Sequence, residues 1–127
     1  MELGQWTLKA FLGPMGLEEG RQNPYISPAS LSIKPERLQG MFNNFPRTYI
    51  VAGGAERILD EIRTLKDRMI KDLNSEDGED EDEDETKSRW VVYDEVEDSV
   101  HDFLMFPWHQ PEVNDTFRRI NHWIANL

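Results

Sequence analysis

Apolar positions along the chain change period several times, and each change predicts an element. Leu3, Trp6, Ala10 and Phe11 recur at helical spacing and "GP" at 13 and 14 ends the pattern, which predicts a short amphipathic helix at the start. From Gly20 to Pro46 the chain carries four prolines with several Asn and Ser residues, including "NPYISPAS". Such a stretch suits an irregular connector, because the residue before each proline is held out of the α region.

"RTYIVAGG" (47–54) is a β-branched and aromatic run closed by two glycines, the pattern of a short buried strand and a tight turn. Ile58, Leu59, Ile62, Leu65, Met69, Ile70 and Leu73 then fall at steps of three and four, predicting a helix from about Ala55 to Leu73. Glu56, Asp60 and Glu61 sit in its first turns and Lys66, Arg68 and Lys71 near its end, as the helix dipole favours. "RWVVYDEVE" (89–97) reads as a second strand. Val113, Phe117, Ile120, Ile124 and Leu127 share one side of a last helix over about 114–126, with Asn114 or Asp115 as its cap.

Two strands separated by a long helix imply a right-handed βαβ crossover and a parallel pair, covered on both faces. The expected fold class is therefore α/β: a βαβα unit preceded by a short helix and an irregular connector. Two strands make a thin sheet for this much apolar surface, so the sheet reads as incomplete, awaiting a missing N-terminal part or a partner chain.

Length and charge narrow this picture. With 127 residues and 38% apolar content, the whole of 1–127 is expected to form one partial domain. The formal charge is −11, but nine of the 25 acidic residues lie in "EDGEDEDEDE" (76–85), leaving 16 against 14 basic ones. The acidity is local. Residues 74–88 are expected to form a disordered acidic loop inserted between helix and last strand, and a near-neutral body offers no basic face for nucleic acid. Placing the invariant EF-hand glycine on Gly78 puts Leu73 at the first ligand position, so the run is not a calcium loop.

The chain has no cysteine, which removes disulfides, thiolate catalysis and zinc–thiolate sites. "MELGQWTLKAFLGPMGL" lacks the sustained apolar core of a secretory signal, and no stretch reaches the roughly 18 apolar residues of a membrane span. A soluble chain, cytoplasmic rather than secreted, is expected. No cofactor is called for.

The candidate chemistry lies at the carboxyl ends of the two strands, where open parallel sheets hold ligands. Glu56 and Asp60 follow the first strand and His101 follows the second. An acid and a histidine at the same end of adjacent strands are two thirds of a nucleophile–base–acid arrangement. His109 and His122 have no partner pattern, and their spacing from His101 does not suit a metal.

"NPYISP", "RTYIVAGGAERILDEI" and "VVYDEVEDSVHDF", in this order, resemble the C-terminal third of an α/β-hydrolase of the hormone-sensitive-lipase-like esterase branch, over most of residues 6–127. The resemblance implies carboxylic ester hydrolysis, with the triad in the chain order serine, acid, histidine. "ERILDE" matches the family's acid-x-x-x-Asp-Glu motif and puts Glu56 at the catalytic acid, with Asp60 as the alternative. His101 in "VHDF" matches the family histidine, and "LMFPWH" would line or brace its loop. The family also puts acyl-pocket elements near Trp6, Phe11 and Tyr25, although core or interface is the preferred assignment for these three.

The nucleophile breaks the pattern. None of the six serines (27, 30, 32, 75, 88 and 99) has glycines at both offsets of Gly-x-Ser-x-Gly, and "AGG" at 52–54 follows the wrong strand for an oxyanion loop. The chain is thus expected to be inactive alone, meeting a small-molecule ester substrate only in a completed domain. The rival expectation is a non-catalytic binding module that presents the acidic loop to a basic partner.

Overall fold

A long helix between two strands carries the chain back to its starting end, so the strands run parallel. The computed structural model describes residues 3–73 and 90–127. In it β1 (Thr48–Gly53) and β2 (Val91–Val96) pair in parallel, in register from Thr48 opposite Val91 to Gly53 opposite Val96. Helices α1 (Leu3–Leu12) and α2 (Gly16–Gln22) precede β1, α3 (Leu59–Leu73) lies between the strands in sequence, and α4 (Glu112–Ala125) follows β2. Mixed α/β character with a parallel two-stranded sheet is as the sequence pattern requires. Among the described residues each strand has one hydrogen-bonded neighbour. The acidic segment 74–88 lies outside the described residues.

The chain divides into two units, Met1–Met41 and Phe42–Leu127. In the first, α1 ends where Gly13 and Pro14 begin a short 3-10 turn, with Gly13 and Gly16 both at positive φ. Leu12, at the end of α1, is buried over Gly20 of α2, where an added Cβ would lie 2.7 Å from both Leu12 methyl groups. Trp6, Phe11 and Tyr25 are exposed, so none of them is core. The apolar face that periodicity draws on α1 therefore differs from the residue that is buried. Helix α2 went unforeseen because seven residues with two glycines show no period. Beyond it the connector proceeds by turns, such as the one in which Asn23 Oδ1 accepts from the Tyr25 amide at 3.0 Å.

In the second unit Ala52, Met69, Leu73, Val91, Phe103 and Val113 are buried. β2 is polar on both sides, and each side is tied to a different helix. Tyr93 and Glu95 share one face: Arg63 of α3 donates to Glu95 at 2.6 and 3.0 Å, and the Tyr93 hydroxyl donates to it at 2.7 Å. Asp94 points the other way, accepting from Arg119 of α4 at 2.7 and 3.2 Å and from the Tyr49 hydroxyl at 3.0 Å. Successive strand residues face opposite ways, so α3 and α4 cover opposite faces of the sheet.

Two boundaries and one helix face depart from the sequence pattern. Helix α3 begins at Leu59 rather than Ala55: residues 54–56 run as a turn, their amides bonded to the carbonyls of Val96, Ser99 and Gly53 at 2.8, 2.9 and 3.1 Å, and the Leu59 amide bonds to Glu56 rather than Ala55. Pro111 occupies the cap position of α4, and Asn114 and Asp115 lie inside the helix. Its inward face carries Val113, Thr116 and Trp123, with the Trp123 ring edge-on to Tyr49 at 5.4 Å. Phe117, Ile124 and Leu127, expected on that face, are exposed. Thr116 is fully buried, its hydroxyl oxygen accepting from Arg119 at 3.0 Å. A buried threonine carries no weight in a hydrophobic pattern, which therefore finds Val113 and the half-buried Ile120 but rotates the rest of the inward face of α4.

The hydrogen bonds from Arg63 and then Tyr93 hold the Glu95 carboxyl down at about 2. A depressed carboxylate stabilises the fold above its unfolded value of about 4.3 and loses that contribution as pH falls through the folded one. The stability difference between the wild type and Glu95→Gln, measured by urea unfolding, should be flat at neutral pH. It should shrink between about pH 4.3 and about pH 2.

Candidate active site

The loops that leave β1 and β2 at their carboxyl ends cross in contact. An added Cβ on Gly53 would stand 2.3 Å from the Ser99 carbonyl oxygen and 2.7 Å from that of Val100. Only glycine permits this approach. The hydrogen bonds from Gly54 to Val96 and from Ala55 to Ser99 fix the crossing, and Asp98, at positive φ, turns the chain toward it. Ser99 is fully buried, and its hydroxyl donates to the Glu97 carbonyl at 3.4 Å.

The crossing brings together two side chains 45 residues apart. Glu56 Oε2 lies 2.7 Å from His101 Nδ1, and Glu56 Oε1 accepts from the Gly53 amide at 2.7 Å. The Glu56 side chain is only 3% exposed, whereas that of His101 is 61% exposed. A buried carboxylate held at both oxygens is a fixed acceptor. It favours the tautomer with the proton on Nδ1, which leaves Nε2 as the ring's lone-pair nitrogen when the imidazole is neutral.

Asp60, the alternative acid, is not beside the histidine. Its side chain is 93% exposed and pairs at 3.4 Å with Arg63, one turn along its own helix. The residues that follow His101 anchor its loop: Phe103 is buried and lies 5.5 Å from the His109 ring, and Phe106 stacks on Trp108 at 5.0 Å. His109 is thus a packed ring within the loop. His122 is exposed, on α4.

Two participants were not legible from the pattern. The Gly53 amide positions Glu56, which the "GG" signal marks as a turn without assigning a donor. Asp102, at φ +56°, sets its Oδ2 3.6 Å from His101 Nε2. Among the described residues no group of three His, Asp or Glu side chains could hold a metal ion, and no helix is long and apolar enough to cross a membrane. A scan against protein-family models finds no match, and searches of the curated proteins and of the solved structures find none either.

The hydrogen bond to Glu56, and secondarily the charge of Asp102, raise the His101 pKa above 6.5, against a smaller opposing effect of desolvation. A raised imidazole contributes stability fully below its unfolded value of about 6.5 and loses it as pH rises through the folded value. The stability lost in His101→Ala should therefore be largest below about pH 6.5 and decline at higher pH, as followed by urea unfolding across a pH series.

The crossing itself is tested at Gly53. Gly53→Ala forces two backbone carbonyls aside and should cost about 1–3 kcal/mol in urea unfolding. Gly4→Ala, in α1 with nothing within 4 Å of the new methyl, should be neutral or slightly stabilising.

Proposed function

We propose that Glu56 and His101 are the acid and the base of a serine-esterase-type site for carboxylic esters, and that the nucleophile is supplied from outside these 127 residues. The observation that carries this reading is the 2.7 Å contact from Glu56 to Nδ1, made by a buried carboxylate that the Gly53 amide holds in place. It leaves Nε2, on a side chain that is 61% exposed, as the nitrogen to meet a hydroxyl. The resemblance of "ERILDE" and "VHDF" to the hormone-sensitive-lipase-like esterases supports the same assignment. Its implication that these strands are the end piece of an α/β-hydrolase sheet belongs to this proposal too.

In this reading, which takes the roles from the resemblance, the two residues divide the proton transfers. Nε2 takes the proton of a serine hydroxyl as its oxygen attacks the ester carbonyl, and the imidazolium returns that proton to the departing alcohol. Glu56 keeps the other proton on Nδ1 and stabilises the imidazolium while it exists. Such acid–base assistance is worth about 10² to 10⁴ in rate and nothing without a nucleophile. The fully buried Ser99 cannot serve, and no serine in the chain has the Gly-x-Ser-x-Gly setting that exposes a nucleophile.

The chain alone should show no turnover of a short p-nitrophenyl ester beyond a level that persists in His101→Ala. A longer product of the same transcript carrying Gly-x-Ser-x-Gly upstream should hydrolyse it, and His101→Ala should reduce that rate by about 10² to 10⁴. Turnover by the chain alone that His101→Ala abolishes would overturn the external nucleophile, and a transcript with no such segment would overturn the esterase reading.

A further inference from the structure

The acid–histidine reading leaves one charged neighbour of His101 unused. Asp102 follows His101 directly, and in an extended chain successive side chains would point to opposite sides. The left-handed backbone at Asp102 breaks that geometry, and its Oδ2 lies 3.6 Å from Nε2. This is too long for a hydrogen bond and within reach of an ion pair. The ring therefore has a carboxylate at each nitrogen: Glu56 buried and hydrogen-bonded at Nδ1, Asp102 exposed and displaceable at Nε2.

We propose that Asp102 is a second positioning residue of the His101 site, a charged cap over Nε2 that a hydroxyl-bearing group must displace before the ring can act as a base. The proposal rests on the acid–histidine reading of the site. Both carboxylates bias the ring toward the imidazolium, which has no lone pair to offer. Movement of Asp102 away from Nε2 removes one of the two biases, so an Nε2 proton passes to water more readily and the uncovered lone pair can accept a proton from the hydroxyl. The charged groups bearing on His101 are Glu56, from the turn after β1, and Asp102, from its own loop. Both His101 and Asp102 are 61% exposed, so their attraction is screened by salt, whereas the contact to the buried Glu56 is screened much less.

The test is an NMR titration of the His101 ring in the full chain, for the wild type, D102N and E56Q, at about 0.01 M and about 0.15 M salt, where the screening length falls from about 30 Å to about 8 Å. Asparagine accepts the left-handed backbone, so D102N removes the charge and keeps the turn; D102G, which adopts that backbone freely, makes the same comparison if D102N does not fold. The expected result is a lower midpoint in D102N than in the wild type at low salt, with the gap narrowing at high salt. A still lower midpoint is expected in E56Q at both. An unchanged or higher midpoint in D102N, with E56Q still low, would overturn the role of Asp102 and leave the acid–histidine pair standing. An unchanged midpoint in E56Q would overturn the pairing on which both readings rest.

Discussion

The passage of the Ser99–Val100 backbone over Gly53 is the contact from which the rest of the site is built. Two chain segments that leave adjacent parallel strands would ordinarily diverge, since each has its own helix or turn to enter. Here the missing side chain at Gly53 admits the carbonyls of the other loop, and amides from residues 54 and 55 bond to it. Held there, residues 54–56 take a turn rather than a helical course, and α3 starts at Leu59. The turn so created turns Glu56 back over the end of β1, where the Gly53 amide meets one carboxylate oxygen and His101 the other.

The same economy of polar groups organises the sheet. A two-stranded sheet offers little apolar area, and β2 compensates with charge: Glu95 engages Arg63 on one face and Asp94 engages Arg119 on the other. These contacts fix which face each helix covers. They also explain why β2 alternates poorly as a hydrophobic strand, since positions on both of its faces serve as helix attachments.

Local pattern was informative about elements and their types. The β-branched runs at 47–54 and 89–97, the apolar stripe of α3 and the glycine–proline stop after α1 each correspond to an element close to its expected place. The pattern failed where burial did not follow apolarity. Thr116 is inward because Arg119 satisfies its hydroxyl, Phe117 is outward although its spacing fits the stripe, and Trp6 and Phe11 are exposed on α1. At the site, strand order, residue type and the motif match singled out His101 and Glu56, with Asp60 as the alternative acid, and the contact to the ring is made by Glu56.

The sequence by itself determined the order of helices and strands, the parallel pairing, the carboxyl-end placement of an acid and a histidine, and the lack of a nucleophile motif. All of these follow from residue type and short-range spacing. Only the tertiary structure decided that Glu56 rather than Asp60 meets His101, that Gly53 supplies the second hydrogen bond, and that Asp102 stands at Nε2. The physical reason is that the crossing and the pairing depend on steric approach and hydrogen bonds between residues some 45 positions apart, while Asp102 depends on one left-handed residue. Neither leaves a periodic trace in the chain.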